Sequence, residues 1–160
     1  GRMEFGARAL GNRSILAPAD NWDTVRKINE MIKKRDFWMP FAPSVMTEYA
    51  DDYVMNPKNI DGPYMIMAYE TKHDKFRKII AGTHPYDKSC RAQFVKEDHN
   101  NDYHRLINHY RELTGEAAIL NTSFNLHGFP IVYTPTEAIN GFDNSALTYL
   151  AVVNYVLNKE

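Results

Sequence analysis

Two stretches of the sequence place charged and polar residues where they could bind an anion. The first, at the start of the chain, surrounds two glycines with three arginines: Gly6 and Gly11 with Arg2, Arg8 and Arg13. Glycine lets the backbone turn sharply or approach a ligand closely, and a guanidinium group matches two oxygens of a phosphate or carboxylate at once. Lys and Ser or Thr do not follow Gly11, so the stretch is not a Walker A loop, and the chain contains no GxGxxG motif. A basic hairpin or a β-bulge explains the same spacing equally well.

The second stretch begins where a predicted core strand ends. Residues 117–120 are a short apolar run that its length predicts to be a buried strand, and four of the next six residues are polar. Ligands of open α/β sheets bind at the carboxyl ends of strands. Backbone amides and the Ser123 hydroxyl could hold a carboxylate or phosphoryl group there. The alternative is a turn whose Asn and Ser side chains bind their own backbone, but so dense a polar cluster favours a binding role.

The histidines and the cysteine form no recognisable catalytic or metal site. His99, His104 and His109 are five residues apart, which places them on different faces of a helix. Cys90 has no evident partner base, so we predict an ordinary packed residue rather than a reactive thiol. A single cysteine excludes an internal disulfide and a CxxC metal site, and it fits a reducing compartment such as the cytoplasm.

Composition limits the class of protein further. The chain has 160 residues, 44% of them hydrophobic, which suits one domain with a real core and excludes a disordered chain. It has no apolar run of about 20 residues that could span a bilayer. A net charge of -1 gives no overall basic field for nucleic acid. Residues 1–35, however, contain eight Lys or Arg and four Asp or Glu, which indicates either a small anionic ligand or a solvated basic face.

Three helices are predicted. The first is capped by Asp20 or Asn21 and runs to about residue 34. Lys33 lies at the edge of its apolar stripe, so the side chain can follow apolar surface and present its ammonium in a cleft. The second covers 101–113, where apolar residues recur at helical spacing. The third begins with a capping box at 134–137 and ends near Gly141.

Extended segments are predicted between and after these helices, at 41–46, 64–69, 79–81, 92–95, 117–120, 131–133 and 147–156. Strands and helices in this order predict a single α/β or α+β domain, with helices packed on a sheet.

Four blocks of this sequence, 1–15, 32–45, 90–95 and 119–138, together resemble the C-terminal domain of the NodU/CmcH-type O-carbamoyltransferases. The resemblance covers nearly the whole chain, to about residue 157. It implies a YrdC-like α/β (α+β) fold, a twisted mixed β-sheet with flanking helices, over residues 1–160.

The resemblance also implies an activity. In the parent enzymes this domain takes ATP and carbamoyl phosphate and makes carbamoyl-adenylate. A separate N-terminal Kae1-like domain with a bound metal then passes the carbamoyl group to a hydroxyl. We therefore expect this chain to be a fragment of a longer cytoplasmic enzyme. The fragment lacks the transferase domain, which the longer enzyme contains. The face that the absent domain would cover should expose apolar surface, which predicts weak self-association into a homodimer.

Carried over position by position, the nucleotide and carbamoyl phosphate contacts of the family fall on five residues: Arg8, Lys33, Arg91, Asn121 and Ser123. The resemblance implies that the three cations clamp phosphates together with Mg²⁺, while Ser123 and Asn121 orient the carbamoyl end. It identifies no metal-binding residue in this chain and does not identify the hydroxyl acceptor.

This sequence departs from the family pattern at two places. Met39 stands where the family has Arg, and residues 86–90 replace a short Asp-Gly-Thr turn. Lys88 within the altered turn could supply the missing charge. These departures leave open a nucleotide-binding module that no longer catalyses. An RNA-binding domain is disfavoured by the near-neutral charge and by the lack of an RNP-type aromatic motif.

Overall fold

The computed structural model describes residues 3–6, 8–33 and 39–159, except for the side chains of Met31 and Lys33. Within these ranges the strands are β1 (Ser14–Ala17), β2 (Ala42–Met46), β3 (Val54–Met55), β4 (Tyr69–Thr71), β5 (Ser89–Cys90), β6 (Gln93–Val95), β7 (Ala118–Ser123), β8 (Tyr149–Val152) and β9 (Tyr155–Asn158). The helices are α1 (Trp22–Ile28), α2 (Ala50–Tyr53), α3 (Asn101–Thr114) and α4 (Pro135–Asp143). One π-helical turn lies at Asn29–Lys33, and 3₁₀ turns lie at Thr47–Tyr49, Phe76–Lys78 and Ile80–Gly82. This mixture of sheets and helices confirms the predicted α+β class.

The centre of the fold is a four-stranded mixed sheet in the order β1-β7-β2-β6. Strand β7 is antiparallel to both β1 and β2, while β6 is parallel to β2. Because β7 is paired along both edges, Asn121 is held between Leu16 of β1 and Ala42 of β2. The sheet therefore fixes the backbone of the polar stretch that begins at Asn121.

The other strands form two smaller sheets, one in the order β3-β4-β5 and the other the hairpin β8-β9. Side chains from the central sheet and from the helices pack into one apolar cluster, which includes Phe41, Val45, Tyr53, Ile107 and Leu120. Over the described ranges, no helix combines the length and the apolar character needed to cross a bilayer.

The first two predicted helices are confirmed, with caps that explain where they begin. Asn21 rather than Asp20 caps α1, because its Oδ1 accepts from the Asp23 N–H at 2.7 Å. The helix then continues through the π-helical turn to Lys33, and residue 34 lies outside the described residues. Helix α3 ends where Gly115 adopts a left-handed conformation, as expected for a helix stop.

The capping box at the start of α4 is also confirmed. Thr134 Oγ1 accepts from the Glu137 N–H at 3.2 Å, and the Glu137 carboxylate accepts from the Thr134 N–H at 2.9 Å. The helix ends at Asp143 instead of near Gly141. Gly141 lies inside the helix and packs closely against the Phe124 ring, so it serves packing rather than helix termination.

Strand β7 is longer than the sequence predicts. The apolar run ends at Leu120, but pairing with β1 continues as far as Ser14 opposite Ser123. The polar stretch therefore begins inside the sheet rather than in a loop. The predicted extended segments at 41–46 and 92–95 are confirmed as β2 and β6.

Other predicted strands differ from the structure. Of residues 64–69 only Tyr69 belongs to a strand, and Met65 has a positive φ of 56°, which interrupts extended structure. Residues 79–81 lie largely in a 3₁₀ turn, 131–133 pair with no described strand, and 147–156 contain the turn of a hairpin instead of one strand. Periodicity alone does not determine the secondary structure of such short apolar segments, which depends on their tertiary contacts.

A tyrosine ties α2 to the start of β7. The Tyr53 hydroxyl accepts from the Ala117 N–H at 2.8 Å and donates to Glu116 Oε2 at 2.9 Å. Lys78 Nζ lies 2.7 Å from Glu116 Oε1, and Lys75 Nζ is 3.9 Å from Oε2. Burial would raise the pKa of Glu116, but the hydrogen bonds from Lys78 and Tyr53 and the charge of Lys75 outweigh it and lower that pKa overall.

Glu116→Gln should make the protein less stable near neutral pH, by about 1 kcal/mol because the lysine partners are partly exposed and screened. A lowered pKa means that this stabilisation is complete above the unfolded carboxyl pKa and is lost as pH falls through the folded pKa. Urea unfolding of both proteins from about pH 6 to about pH 3 should therefore show converging stabilities at the acid end. A constant difference across that range would contradict the role assigned to the carboxylate charge.

Candidate anion-binding site

Three of the predicted site residues, Arg8, Arg91 and Ser123, line one cleft beside the central sheet, and Asn121 forms part of its wall. The cleft has a volume of about 80 Å³, and its other lining residues are Ala9, Pro40, Phe41, Ala42, Met65 and Thr122. A cleft of this size can take a small group such as a phosphoryl or carbamoyl group. The remainder of a larger ligand would lie outside it. The Lys33 side chain, the fifth predicted contact, lies outside the described residues, and so does Arg2.

The cleft is electrostatically suited to an anion. Arg8 and Arg91 line the same cleft; burial lowers the pKa of Arg91, and the positive charge of Arg8 lowers that pKa further. Arginine remains protonated in proteins despite such shifts. No carboxylate lines the cleft among the described residues. Two like charges held together without an acidic partner are stabilised by an anionic ligand.

The loop that carries Arg8 is folded around a carboxylate that the sequence analysis did not single out. Glu4 Oε1 accepts from the backbone N–H groups of Leu10, Asn12 and Arg13 at 2.8, 2.7 and 3.4 Å. The available signal was a glutamate among glycines and arginines, since a carboxylate can bind the unpaired N–H groups of a turn. The described residues between 3 and 13 form no strand, so the alternative of a basic hairpin is wrong.

Two buried amides hold the same loop from the sheet. Asn121 Nδ2 donates to the Ala9 carbonyl at 3.2 Å and to Gln93 Oε1 at 2.9 Å, and Gln93 Nε2 donates to the Leu10 carbonyl at 3.2 Å. Ser44 Oγ donates to Gln93 Oε1 at 2.6 Å. Asn121 is only 1% exposed, so its amide group braces the loop next to Arg8. Gln93 was missed, and the signal for it was a polar residue within an apolar strand.

Gly11 lets the backbone of this loop pack directly against helix α3. Its φ is 124°, and a Cβ at this position would lie 2.5 Å from a ring carbon of Tyr103. Both the backbone conformation and the close approach exclude a side chain here. The second glycine of the predicted motif is therefore required by packing under the loop.

Of the two departures from the family pattern, Met39 is next in sequence to a cleft-lining residue, whereas Lys88 does not line the cleft. Met39 directly precedes the lining residue Pro40 and is 36% exposed, but it is not itself among the described residues that line the cleft. Lys88 is not among the cleft-lining residues. Its ammonium lies 5.0 Å from the centre of the Phe76 ring, in a turn where Lys88 has a φ of 60°.

The remaining candidates behave as ordinary structural residues. Cys90 is 2% exposed, and burial raises the pKa of its thiol to about 11, which keeps it protonated and inert. His104 contacts Glu48 at 3.0 Å, whereas His109 contacts Glu112 at 3.1 Å. The described part of the chain contains no group of three His, Cys, Asp or Glu side chains that could hold a metal ion.

A larger groove of about 610 Å³ lies elsewhere, and its lining residues are Thr47, Glu48, Lys96, Glu97, Asp98 and Asn101. Its one lysine is paired with Asp61 at 2.6 Å. An anion would meet three carboxylates in this groove. The smaller cleft is therefore the candidate site.

Comparison with known proteins points to one family. The family described as carbamoyltransferase C-terminus matches residues 1–159. The chain is 40% identical over 159 residues to an uncharacterised protein of Methanocaldococcus jannaschii, with 99% of this chain and 30% of that protein covered. It is 40% identical to the nodulation protein NolNO of Sinorhizobium fredii and 39% identical to the nodulation protein NolO of Bradyrhizobium diazoefficiens, each over 99% of this chain. These matches cover 23% and 29% of the two nodulation proteins, so the chain spans less than a third of the length of these relatives.

Pyrophosphate can serve as a simple anionic probe of the cleft. Gln93→Leu should weaken its binding although Gln93 does not line the cleft. The substitution leaves buried polar groups of Ser44, Asn121 and the loop without partners, which costs about 1–3 kcal/mol of stability and frees the Arg8 loop to move. Calorimetric titration at a temperature where the variant is folded measures the binding. Ile107→Val, a core change of about 1 kcal/mol that removes no hydrogen-bond partner, is the control. If both variants lose affinity equally, general destabilisation would explain the result.

Proposed function

The chain belongs to the carbamoyltransferase C-terminal family, and on that premise we propose that it binds ATP and carbamoyl phosphate and joins them into carbamoyl-adenylate. The parent enzyme would then use this intermediate to carbamoylate a hydroxyl group. The observation that carries the proposal is the Arg8 and Arg91 pair at a cleft that also presents Ser123. Guanidinium groups bind phosphoryl oxygens in pairs.

The proposed reaction proceeds by two substitutions and needs no covalent enzyme intermediate. Water first cleaves carbamoyl phosphate to carbamate and inorganic phosphate. A carbamate oxygen then attacks the α-phosphorus of ATP, the bond from that phosphorus to the bridging oxygen breaks, and pyrophosphate leaves. Cys90, as a buried thiol, is not available as a nucleophile.

Catalysis in this proposal comes from charge and position. Negative charge grows on phosphoryl oxygens in the transition state, and fixed cations stabilise it more than they stabilise the substrate. Arg8 and Arg91 fulfil this role, with Lys33 as the proposed third cation. The bonds of Glu4, Gln93 and Asn121 fix the backbone directly after Arg8 before the ligand arrives, which reduces the reorganisation needed during the reaction.

Mg²⁺ enters the proposal only as part of MgATP. The ion prefers oxygen ligands and in nucleotide enzymes is held by carboxylates together with substrate phosphates. The described residues that line the cleft offer hydroxyl and amide oxygens and two cations, but no carboxylate. They do not fit a resident metal.

Transfer to the hydroxyl acceptor is proposed to occur outside this chain. The relatives are more than three times as long as the part matched here. We propose that a Kae1-like domain with its own metal performs the transfer in the parent cytoplasmic enzyme. A homodimer of this chain belongs to the same proposal.

A second candidate is a nucleotide-binding module without catalysis. It is favoured by Met39, which directly precedes the lining residue Pro40 and is apolar where the family that this chain resembles has Arg. Such a module would bind ATP and carbamoyl phosphate without releasing pyrophosphate.

Arg91→Ala should weaken ATP binding by roughly tenfold or more, because a charge-assisted bond to phosphate contributes about 1.5–3 kcal/mol. Arg105→Ala, which removes an exposed arginine from α3, should change affinity less than about twofold. Isothermal titration of both variants with MgATP measures the difference. Equal losses would show that binding follows net charge and that the cleft is not the site.

The 160-residue chain should release pyrophosphate slowly from ATP plus carbamoyl phosphate and should carbamoylate no alcohol. The reactive adenylate would be exposed to water in the absence of the transferase domain, so little of it would persist. A coupled pyrophosphate assay with and without a panel of sugar alcohols tests both statements. Carbamoylation of an alcohol by this chain would contradict the proposed division of labour, whereas tight ATP binding without pyrophosphate release would favour the non-catalytic module.

A further inference from the structure

The hairpin of β8 and β9 is packed on the rest of the protein through one of its two strands. Leu150 of β8 is buried, and β8 packs against α4. All four residues of β9 are exposed, and among them Tyr155 is 75% and Val156 is 71% exposed. A two-stranded hairpin is only marginally stable in water by itself, so an exposed apolar strand at its edge favours pairing with a further strand.

The outer edge of β9 carries backbone groups that point away from the hairpin. Among the described strands β9 pairs only with β8. The Lys159 N–H donates to the carbonyl of Thr148, the residue directly opposite, at 3.1 Å, and bonded and non-bonded pairs alternate along an antiparallel ladder. By the register of the hairpin, Val156 and Asn158 belong to the non-bonded pairs. Their N–H and C=O groups therefore point outward, away from β8.

The sequence of the hairpin offers this edge no protection against pairing. Natural edge strands are commonly guarded by lysine, by proline or by a bulge. Residues 149–158 contain no charged residue and no proline, and the hairpin register runs without a bulge. The net charge of -1 adds little repulsion between two copies of the chain. The edge thus suits an uncharged, apolar strand as its partner.

Strand β9 is itself such a strand and is complementary to a second copy of itself. Two copies related by a two-fold axis present the same surface to each other, so their β9 strands run antiparallel. With Leu157 on the axis, Val156 of one copy lies opposite Asn158 of the other, and the outward N–H and C=O groups of both residues bond one another. Leu157, which is 41% exposed, then packs against its own counterpart.

We infer that the outer edge of β9 is the surface through which two copies of this chain pair, as one sheet in the order β8-β9-β9-β8. The inference goes beyond the proposed reaction: it gives the proposed homodimer its surface and does not depend on the cleft. One short strand from each copy covers less than the about 800 Å² per partner that a standard stable interface buries. The pair should therefore be weak and depend on protein concentration.

Sedimentation equilibrium of the 160-residue chain from about 5 µM to about 500 µM covers the range of such weak affinities. The average mass should rise from 18.5 kDa toward twice that value, and about 0.5 M NaCl should change the curve little because the edge is uncharged. Val156→Pro removes the outward N–H and should weaken pairing by roughly tenfold or more. Ala151→Pro, opposite Val156 on β8, removes an N–H that points to the other edge and should leave the curve unchanged.

A charge exchange at the axis tests the register without a backbone change. Leu157→Lys and Leu157→Glu should each remain monomeric, because like charges directly opposite one another destabilise a strand pair. An equal mixture of the two variants should form dimers again. Tyr149→Lys, which places the same charge on β8 away from the axis, should still pair.

Circular dichroism at low concentration shows which variants are folded. A monomer at every concentration would overturn the inference, and so would a mass that rises beyond two copies, which indicates unspecific adhesion. Pairing that persists in folded Val156→Pro, or equal losses in Val156→Pro and Ala151→Pro, would also overturn it. If Val156→Pro does not fold, the Lys and Glu mixture decides, and a mixture that stays monomeric overturns the inference.

Pyrophosphate titration separates this inference from the proposed function. Val156→Pro changes no residue of the cleft, so it should bind pyrophosphate as the unmodified chain does. A chain that pairs through β9 but binds no pyrophosphate would overturn the proposed anion site alone. A chain that binds pyrophosphate but stays monomeric would overturn the β9 surface alone.

Discussion

The candidate site depends on holding two guanidinium groups, Arg8 and Arg91, beside a cleft whose described lining contains no carboxylate. Like charges at short range repel, and an exposed loop that carried one of them would move away if nothing restrained it. The restraint comes from Glu4, Gln93 and Asn121, which bind N–H and carbonyl groups of residues 9–13, directly after Arg8. The Glu4 carboxylate thus binds backbone N–H groups of the loop, and the guanidinium groups are left to bind a ligand.

The central sheet supplies the rigid part of this arrangement. Strand β7 is paired with β1 as far as Ser123 and with β2 as far as Asn121, so neither residue can shift without disrupting strand pairing. Tyr53 and Glu116 anchor the start of the same strand. A site built on a central strand holds its groups more accurately than one built on loops, which suits a reaction that relies on positioned charge.

Much of the fold could be read from local patterns. The capping box at 134–137, the Asn21 cap and the glycine after α3 are signals carried by a few neighbouring residues, and the structure confirms them. The short apolar segments at 64–69 and 79–81 were wrongly predicted as strands. Such segments become strands only if an edge is available for pairing, and the availability of an edge is a property of the whole chain.

The residue types of the site were determined by the sequence itself: arginines among glycines in one stretch, and polar residues after a core strand in another. Side-chain chemistry and spacing suffice for that, because a guanidinium binds anions wherever it lies. Only the tertiary structure decided which residues meet. It joins Arg8, Arg91 and Ser123 from distant positions in the chain and directs the Asn121 amide inward. Hydrogen-bond direction depends on partners brought together by folding, and for that physical reason no local pattern encodes it.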